Sequence, residues 1–353
     1  MLVVAGCGAA GAEFVRHLKG EEITVISPSP LLVCQALLPA YVAGNVEEES
    51  LFVNLKPFFR ERGIAYRKGE VKFIKTRCNT LFVSYGGTIR GAGYDFAVIA
   101  TGGESCYYGV ECNNCLSVNT LEDARVARER ISAGGRVVVV GSGMTGVETA
   151  YELSEFCRVT LVEAQGRILP AMSEKASRCV LRLLERRGVE VLTSCRVEEV
   201  SYEESVVRTS CGELGFDEVV WCAGIKGREL PGLEYGRMGI RVDESLRAHE
   251  NVFAIGDCAE VVVGGEVATK TALEAERQAR FVAKLVRKLG DGIKLERYKR
   301  YKPFSTNKKP FAILTFGRRG LIVRGDTVIA SPSSMIYGLK MMVVKKFLDN
   351  FRV

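Results

Sequence analysis

Short apolar strands alternate with amphipathic helices along most of the chain, a pattern typical of an α/β fold. The N-terminal segment predicts a strand at 2–5, then a glycine turn, a helix and a second strand at 23–27. The same pattern begins again at 136, about 135 residues later. An apolar strand at 251–255 precedes a long helix predicted over 271–289. We therefore predict two Rossmann-type units, one nested in the other.

The repeat sets the predicted domain boundaries. The first unit takes residues 1–110 and 245–295, and the second is inserted into it over 111–244. Residues 296–353 are predicted to form a small C-terminal region that ends in an amphipathic helix. The apolar stripe of this helix is predicted to contain Ile336, Leu339, Val343 and Phe347, and its positive charges Lys340, Lys345, Lys346 and Arg352.

Positive charge is concentrated at the C-terminal end of the chain. The net charge is +7, but residues 294–353 alone hold fourteen lysines and arginines against three acidic residues. A basic tail indicates an anionic partner, and because no nucleic-acid-binding motif accompanies it, an anionic membrane surface is favoured. A homodimer contact or a solvated basic face are the alternatives. No run of eighteen apolar residues and no signal peptide is recognised, so we expect a cytoplasmic protein, peripheral on the inner face of the cell membrane.

The first glycine turn reads Gly6-Cys-Gly8-Ala-Ala10-Gly11 and lies between a predicted strand and a predicted helix. In such turns the first glycine makes the bend, the second admits a pyrophosphate, and the third allows close packing of the helix on the strand. The acidic residue that would hold the adenosine ribose is replaced by Ser27. This turn is predicted to bind a dinucleotide through its backbone.

The second glycine turn, Gly141-Ser-Gly143-Met-Thr-Gly146, has the complete pattern. Glu163 follows its second strand, where a carboxylate accepts hydrogen bonds from both ribose hydroxyls and repels a 2′-phosphate. The inserted unit is therefore predicted to bind NADH in preference to NADPH.

Two further strands indicate that the dinucleotide of the first unit is FAD. One ends at Thr101-Gly102 and the other at Gly256-Asp257, so that their carboxyl ends are expected to meet the ligand. Asp257 is placed to bind the ribityl hydroxyls or the phosphate of a flavin.

The two glycine turns occur together with four characteristic passages: GSGMTGVETAYE at 141–152, VTLVEAQGRILP at 159–170, VVWCAGI at 219–225 and VFAIGDCA at 252–259. The combination resembles the pyridine nucleotide–disulfide reductase superfamily of flavoproteins. Within that superfamily it is most similar to the type II NADH dehydrogenases, which are NADH:quinone oxidoreductases. The resemblance implies an FAD enzyme that takes hydride from NADH and passes electrons to a membrane quinone.

The resemblance also implies roles for four side chains. Glu148 is expected near the nicotinamide, where it assists positioning or proton movement. Glu274 and Gln278 stand at the positions that line the quinone channel of type II enzymes. The Lys270-Thr pair is similar to one in sulfide:quinone oxidoreductases, in which the lysine lies beside the flavin and stabilises its reduced anion.

Cysteine chemistry provides the alternatives. A sulfide:quinone oxidoreductase-like enzyme is disfavoured because no cysteine follows Cys258. An NADH-dependent disulfide or persulfide reductase would use Cys34, and Cys112 with Cys115 is a candidate dithiol. A flavin electron-transfer subunit is the remaining alternative. We expect no metal site, and most other cysteines are predicted to be unpaired apolar residues, among them Cys157, Cys179, Cys195 and Cys222.

Overall fold

The structure is a computed structural model that describes residues 1–18, 22–290 and 300–353, apart from the side chains at 330 and 331. The predicted boundary between 295 and 296 lies outside the described residues, so it stays a prediction.

The first part of the chain forms a βαβ unit followed by a small antiparallel sheet. Its helices are α1 (Ala9–Arg16), α2 (Leu38–Val42) and α3 (Lys56–Glu61). Its strands are β1 (Leu2–Ala5), β2 (Ile23–Ser27), β3 (Leu31–Val33), β4 (Phe52–Asn54), β5 (Ala65–Lys68), β6 (Glu70–Lys75), β7 (Thr80–Tyr85), β8 (Thr88–Gly93), β9 (Phe96–Ile99) and β10 (Gly103–Ser105).

The middle part repeats this arrangement. Its helices are α4 (Leu121–Arg130), α5 (Met144–Leu153) and α6 (Glu174–Arg186). Its strands are β11 (Arg136–Val140), β12 (Arg158–Val162), β13 (Glu190–Leu192), β14 (Val197–Ser201), β15 (Val206–Thr209), β16 (Gly212–Gly215), β17 (Glu218–Trp221) and β18 (Ile225–Gly227).

The last part returns to the first sheet and then adds a C-terminal sheet and helix. Its helices are α7 (Ala272–Gly290) and α8 (Ser334–Asp349). Its strands are β19 (Ile240–Arg241), β20 (Arg247–His249), β21 (Val252–Ala254), β22 (Ala259–Glu260), β23 (Val262–Val263), β24 (Glu266–Val267), β25 (Phe311–Phe316), β26 (Arg319–Arg324) and β27 (Thr327–Ser333).

Two sheets, parallel except for the antiparallel edge strand β20 of the first, carry the glycine turns. The first has the strand order β20-β21-β9-β1-β2-β5, so β21 from late in the chain pairs with β9 from the first part. The second has the order β13-β12-β11-β17. The central strands, β1 and β9 in the first sheet and β11 and β17 in the second, are almost wholly apolar and buried. Parallel strands that are covered on both faces are expected to have this composition. The predicted α/β fold with two nested Rossmann-type units is confirmed, and the exact domain limits stay a prediction.

The C-terminal helix α8 differs from the prediction in the face that it buries. Lys340 is buried beside Ile336, whereas Leu339 and Val343, predicted for the same apolar stripe as Ile336, are exposed. Because Lys340 lies on the buried face with an interior partner, a second apolar stripe lies on the outer surface of the helix. That outer face, which consists of Met335, Leu339, Met342 and Val343, is followed by the exposed Lys345 and Lys346. Across the described ranges, we find no helix long and apolar enough to span a membrane.

Candidate dinucleotide sites and the buried ion pair

The first glycine turn has the backbone geometry that a dinucleotide requires. Gly6 has a φ of +102°, and a Cβ at this position would overlap the carbonyl of Ala100. Gly11 approaches Gly6 so closely that a Cβ would overlap the Gly6 carbonyl. At Gly8, which caps α1 without a side-chain hydrogen bond, a Cβ would meet no described atom within 4 Å. The N–H groups that open α1 therefore face open space.

A cavity of about 320 Å³ lies in front of this turn. The predicted residues that line it are Gly6, Gly8, Ala10, Ser27, Thr101, Gly102, Gly256 and Asp257. Sequence reasoning thus selected residues that the fold brings together from the ends of four separate strands, β1, β2, β9 and β21.

The cavity residues fit a flavin dinucleotide. Thr101 Oγ1 is buried and has no hydrogen-bond partner among the described residues, so it remains available to a ligand. Burial raises the pKa of Asp257, and the nearby Lys270 opposes that rise. A ligand hydroxyl beside Asp257 would supply the hydrogen bond that a buried carboxylate needs.

Lys270 lies next to Asp257 and is held by main-chain oxygens. Its Nζ donates to the carbonyls of Asp257 and Ala259, the latter at 3.1 Å. Burial lowers the pKa of the Lys270 amine, and the Asp257 charge raises it. The cation predicted beside the flavin is therefore fixed at the end of the first sheet, and its contact with the ring stays a prediction.

Glu274 and Gln278, expected in a quinone channel, have structural partners. Glu274 is fully buried and accepts hydrogen bonds from the Tyr301 hydroxyl and from the N–H groups of Phe304 and Ser305, the N–H bonds at 3.2 and 3.1 Å. Gln278 Oε1 accepts from the Gly256 N–H at 2.7 Å. Glu274 thus anchors the start of the C-terminal region.

The second glycine turn repeats the first and adds a carboxylate. Gly141 has a φ of +93°, a Cβ at Gly146 would overlap the Gly141 carbonyl, and a Cβ at Gly143 would meet no described atom within 4 Å. At the end of β12, Glu163 Oε2 accepts from the Ser142 N–H at 2.9 Å and from the Ser142 hydroxyl at 2.6 Å. Ser142, which the sequence pattern left unassigned, therefore fixes the carboxylate beside the turn.

The segment after Glu163 is also fixed. The Gln165 N–H donates to Glu163 Oε1 at 2.7 Å. The Arg167 guanidinium donates to the carbonyls of Leu169, Pro170 and Met172 at 2.7–3.0 Å. Arg167 is thus bound to the main chain rather than directed toward the position that a 2′-phosphate would occupy.

Glu148 lies on α5 and forms a buried ion pair with the C-terminal region. Its Oε1 accepts from the Thr315 N–H at 2.6 Å, the Thr315 hydroxyl at 2.9 Å and Lys340 Nζ at 2.8 Å. The side chains of Lys340 and Glu148 are 7% and 9% exposed. This pair connects the inserted unit to α8. Lys340 therefore faces the protein interior, whereas the sequence predicted that its charge would face a lipid headgroup.

A family model described as pyridine nucleotide-disulphide oxidoreductase matches residues 1–279. The chain belongs to this family. The resemblance inferred from the glycine turns and the four passages is therefore confirmed, and the protein is an enzyme of oxidoreductase type.

Two curated relatives give the degree of similarity. The external alternative NAD(P)H-ubiquinone oxidoreductase B3 of Arabidopsis thaliana mitochondria is 28% identical over 322 residues, which cover 74% of this chain and 54% of that protein. A type II NADH:quinone oxidoreductase of Staphylococcus haemolyticus is 26% identical over 336 residues, which cover 82% of this chain and 83% of that protein. The chain therefore spans about half the length of the plant relative.

Two solved structures share the fold. A NAD-dependent persulfide reductase from A. fulgidus has a TM-score of 0.78 and 26% identity, with 91% of this chain and 63% of that chain covered. NDH2 from Plasmodium falciparum, solved in complex with NADH, has a TM-score of 0.83 with 99% and 96% covered. Its identity of 15% establishes similarity of fold alone.

Cys34, the candidate nucleophile of a persulfide reductase, lies near the Glu148–Lys340 pair. Burial raises its pKa to about 11, the Lys340 charge lowers it and the Glu148 charge raises it. The thiol form therefore dominates at neutral pH, and a protonated thiol is a poor nucleophile.

Two pairs of cysteines meet in the inserted unit. Cys112 and Cys115 have Cα atoms 5.3 Å apart, which supports the predicted dithiol. Cys195 was predicted to be unpaired, but the structure brings it to Cys211 with a Cα–Cα distance of 5.6 Å. The prediction was wrong because β14 and β15 fold back on each other, and sequence spacing alone does not reveal that approach.

Sequence reasoning also missed Lys340 and Thr315 as partners of Glu148. One signal was present. Lys340 follows Ile336 by four residues, so it shares a helix face with an apolar residue that is expected to be buried. A lysine on such a face requires a buried acidic partner, and this identifies it as a candidate for a buried ion pair.

Proposed function

We propose that this chain is an FAD enzyme that oxidises NADH and transfers the electrons to a membrane quinone. Family membership supports a flavin enzyme that uses a nicotinamide nucleotide. The names of the A. thaliana and S. haemolyticus relatives support quinone as the acceptor. The observation that carries the proposal is the pairing of two glycine turns in one chain, with Glu163 beside the second.

NADH is the donor that the second turn favours. Glu163 is held by Ser142 and Gln165, so its carboxylate is already placed for the ribose hydroxyls. Preorganised acceptors bind at a lower entropic cost. A 2′-phosphate would meet the negative charge of Glu163, while the guanidinium of Arg167 is bound to carbonyls.

The first turn holds the flavin nucleotide in this proposal. Gly6, Gly8 and Gly11 expose the N–H groups and positive dipole of α1 to the pyrophosphate. Asp257 and Thr101 bind hydroxyl groups along the chain of the cofactor, and Lys270 supplies a positive charge at the same edge of the sheet. When bound, FAD supplies the centre that accepts hydride and releases electrons.

Glu148 and Lys340 form a buried charged pair where α5 meets the C-terminal region. Lys340 Nζ donates to Glu148 Oε1 at 2.8 Å, so the pair fixes the Glu148 side chain at this contact. We propose that the pair positions α5, and with it the second glycine turn, for nucleotide binding. Glu274 and Gln278 are positioning residues in this proposal, because Glu274 holds Tyr301 and Gln278 holds Gly256.

The outer face of α8 is proposed to bind an anionic membrane surface. Met335, Met342 and Val343 are exposed and Lys345 follows them. Apolar side chains at the acyl boundary with cations at the headgroups are the features of an interfacial helix. Co-sedimentation is expected to show strong binding to anionic vesicles and weak binding to zwitterionic ones, and Met342→Glu is expected to abolish the binding to anionic vesicles. Dimers without vesicle binding would assign the face to a second copy instead.

Anaerobic stopped-flow absorbance of the FAD-loaded enzyme tests the donor. Rapid loss of the oxidised flavin band with NADH, and a much slower loss with NADPH, is the expected result. Reduction by sulfide but not by NADH would contradict it and favour sulfide oxidation. Repeated turnover with a soluble quinone would then separate an autonomous enzyme from an electron-transfer subunit, which would reduce its flavin once and stop.

Persulfide reduction is the second candidate, favoured by the similarity to the A. fulgidus enzyme. It needs Cys34 as a thiolate, which its raised pKa disfavours. The Cys34→Ser variant distinguishes the two functions, because quinone reduction is expected to survive it. Loss of NADH-dependent persulfide reduction on this substitution would instead establish the second candidate.

A further inference from the structure

Cys195 and Cys211 come together at the edge of the inserted unit. Cys195 follows β13 and is fully buried, whereas Cys211 is exposed in the turn between β15 and β16. Their Cα atoms are 5.6 Å apart, within the range that a disulfide spans. One thiol is thus open to a reagent in solution while its partner lies directly beneath it.

Hydrogen bonds next to the two cysteines hold them in this position. The Arg196 N–H donates to Ser210 Oγ at 2.9 Å, and the Ser210 N–H donates to the Arg196 carbonyl at 2.8 Å. Thr209 Oγ1 accepts from the Cys211 N–H at 3.1 Å and lies 3.3 Å from Cys195 Sγ. Because these contacts do not involve a sulfur–sulfur bond, the two cysteines stay within reach of each other in the thiol state.

The same loop is bonded to the segment that carries Glu163. The Cys195 N–H donates to the Glu163 carbonyl at 2.9 Å, and the Ser194 N–H donates to the Gln165 carbonyl at 2.7 Å. On the other side, the Glu163 N–H donates to the Leu192 carbonyl at 2.8 Å. The position of the cysteine loop therefore affects the backbone on both sides of the Glu163 carboxylate.

We propose that Cys195 and Cys211 form a reversible disulfide that strengthens nicotinamide nucleotide binding at Glu163; this inference rests on the proposed function. The oxidant is a low-molecular-weight disulfide. The Cys211 thiolate attacks one of its sulfurs and releases one small thiol, and the Cys195 thiolate then displaces the second as the Cys195–Cys211 bond forms. Two protein thiols are oxidised, the small disulfide is reduced to two thiols, and the two protons leave on them.

The physical reason for coupling is preorganisation. The disulfide limits the motion of the Ser194–Cys195 loop, and the three backbone hydrogen bonds transmit that restriction to Glu163 and Gln165. A carboxylate that is already ordered loses less entropy when it binds a ribose. Reduction leaves the loop in place through its hydrogen bonds but restores part of its motion, and it does not affect the first glycine turn.

The test uses the full-length FAD-loaded protein after oxidised glutathione or dithiothreitol. Peptide mapping after alkylation is expected to find a Cys195–Cys211 link only in the oxidised sample. Calorimetric titration with NAD⁺, which has no hydride to transfer, is expected to show about fivefold or more tighter binding in that sample. Cys211→Ser is expected to remove the difference in NAD⁺ affinity between the two samples. The control variant Cys179→Ser, on α6 of the same unit, is expected to keep it. Flavin content is expected to be equal throughout.

Three results would overturn the inference. One is the absence of the linked peptide after oxidation, and another is equal NAD⁺ affinity in the two redox states. The third is a linked peptide without NAD⁺ binding in either state. That result would reject the proposed nucleotide site itself, and NADH would then also fail to reduce the flavin.

Discussion

The two glycine turns open helices that carry a carboxylate at the same position, and the two carboxylates are used differently. Glu13 on α1 and Glu148 on α5 each lie two residues after the last glycine of their turn. Both are buried. Each accepts a hydrogen bond from a cation on a helix much later in the chain, so the repeated motif serves both times to dock another helix.

The partners differ in their exposure to solvent. Glu13 accepts from Arg280 on α7 at 2.6 Å and also from Arg16 at 2.7 Å, and the side chain of Arg280 is 42% exposed. Within the part of the chain that the structure describes, Glu148 pairs with a single cation, Lys340, which is almost inaccessible. Water screens the first pair and scarcely reaches the second. The first unit is thus tied to its own long helix by a replaceable contact, and the second is tied to the C-terminal region by a contact that is costly to break.

Removal of each cation tests this comparison and is expected to have the largest effect. Lys340→Met leaves Glu148 buried without a counter-charge and is expected to lower the free energy of unfolding by about 3–5 kcal/mol. Arg280→Met leaves Arg16 in place and is expected to cost about 1 kcal/mol. Urea unfolding of the FAD-loaded enzyme measures both. The exposed Lys345→Met is the control, and equal losses for Lys340→Met and Arg280→Met would refute the distinction.

The Glu148→Gln/Lys340→Met double variant checks the cause of the larger loss. A neutral amide beside Thr315 needs no counter-charge, so the double variant is expected to recover most of the stability lost in Lys340→Met. If the double variant is as unstable as the single one, packing and not charge explains the loss.

The glycines within each turn provide the next test, because their backbone roles are the same in both units. Gly146→Ala places a methyl group against the Gly141 carbonyl and is expected to cost about 1–3 kcal/mol of stability along with NADH binding. At Gly143 the added methyl meets open space, so Gly143→Ala is expected to retain stability and lose nucleotide affinity. The same split is expected for flavin retention in Gly11→Ala and Gly8→Ala.

What the sequence predicted correctly was local. Each glycine turn lies within a few tens of residues of the strands beside it, as Glu163 does of the second turn, and period and turn chemistry determine their positions. The partners of Glu148 are 167 and 192 residues away, at Thr315 and Lys340. These contacts depend on how the C-terminal sheet packs on α5, and no local sequence pattern contains that information. For the same reason the sequence did not reveal that Ile336 and Lys340 of α8 are buried while Leu339 and Val343 are exposed.

We propose that the residue at the end of the second strand, Ser27 in the first unit and Glu163 in the second, distinguishes the nucleotide specificity of the two units, and Glu163→Gln tests this proposal. The amide keeps an acceptor for the Ser142 N–H but loses the charge, so NADH binding is expected to weaken by about ten- to a hundredfold. The preference over NADPH is expected to fall because the repulsion of a 2′-phosphate disappears. Initial-rate kinetics with both nucleotides measure this, with flavin content as the control. An unchanged ratio of kcat/KM for the two nucleotides would remove Glu163 as the determinant.

The smallest expected effect is a pH dependence at the α1–α7 contact. Burial raises the pKa of Glu276 to about 7, the neighbouring Glu13 charge adds to the rise, and Arg280 and Arg16 oppose it. The folded state therefore keeps this proton up to about pH 7, while the unfolded chain releases it near the ordinary value for glutamate. Stability from this group is present below that ordinary value and is lost as pH rises toward 7. Glu276→Gln is expected to raise the Tm by about 1–3 °C at pH 8 and to leave it unchanged at pH 4, as measured by calorimetry. A gain in Tm of the same size at both pH values would show that the charge of the Glu276 carboxylate is not the cause.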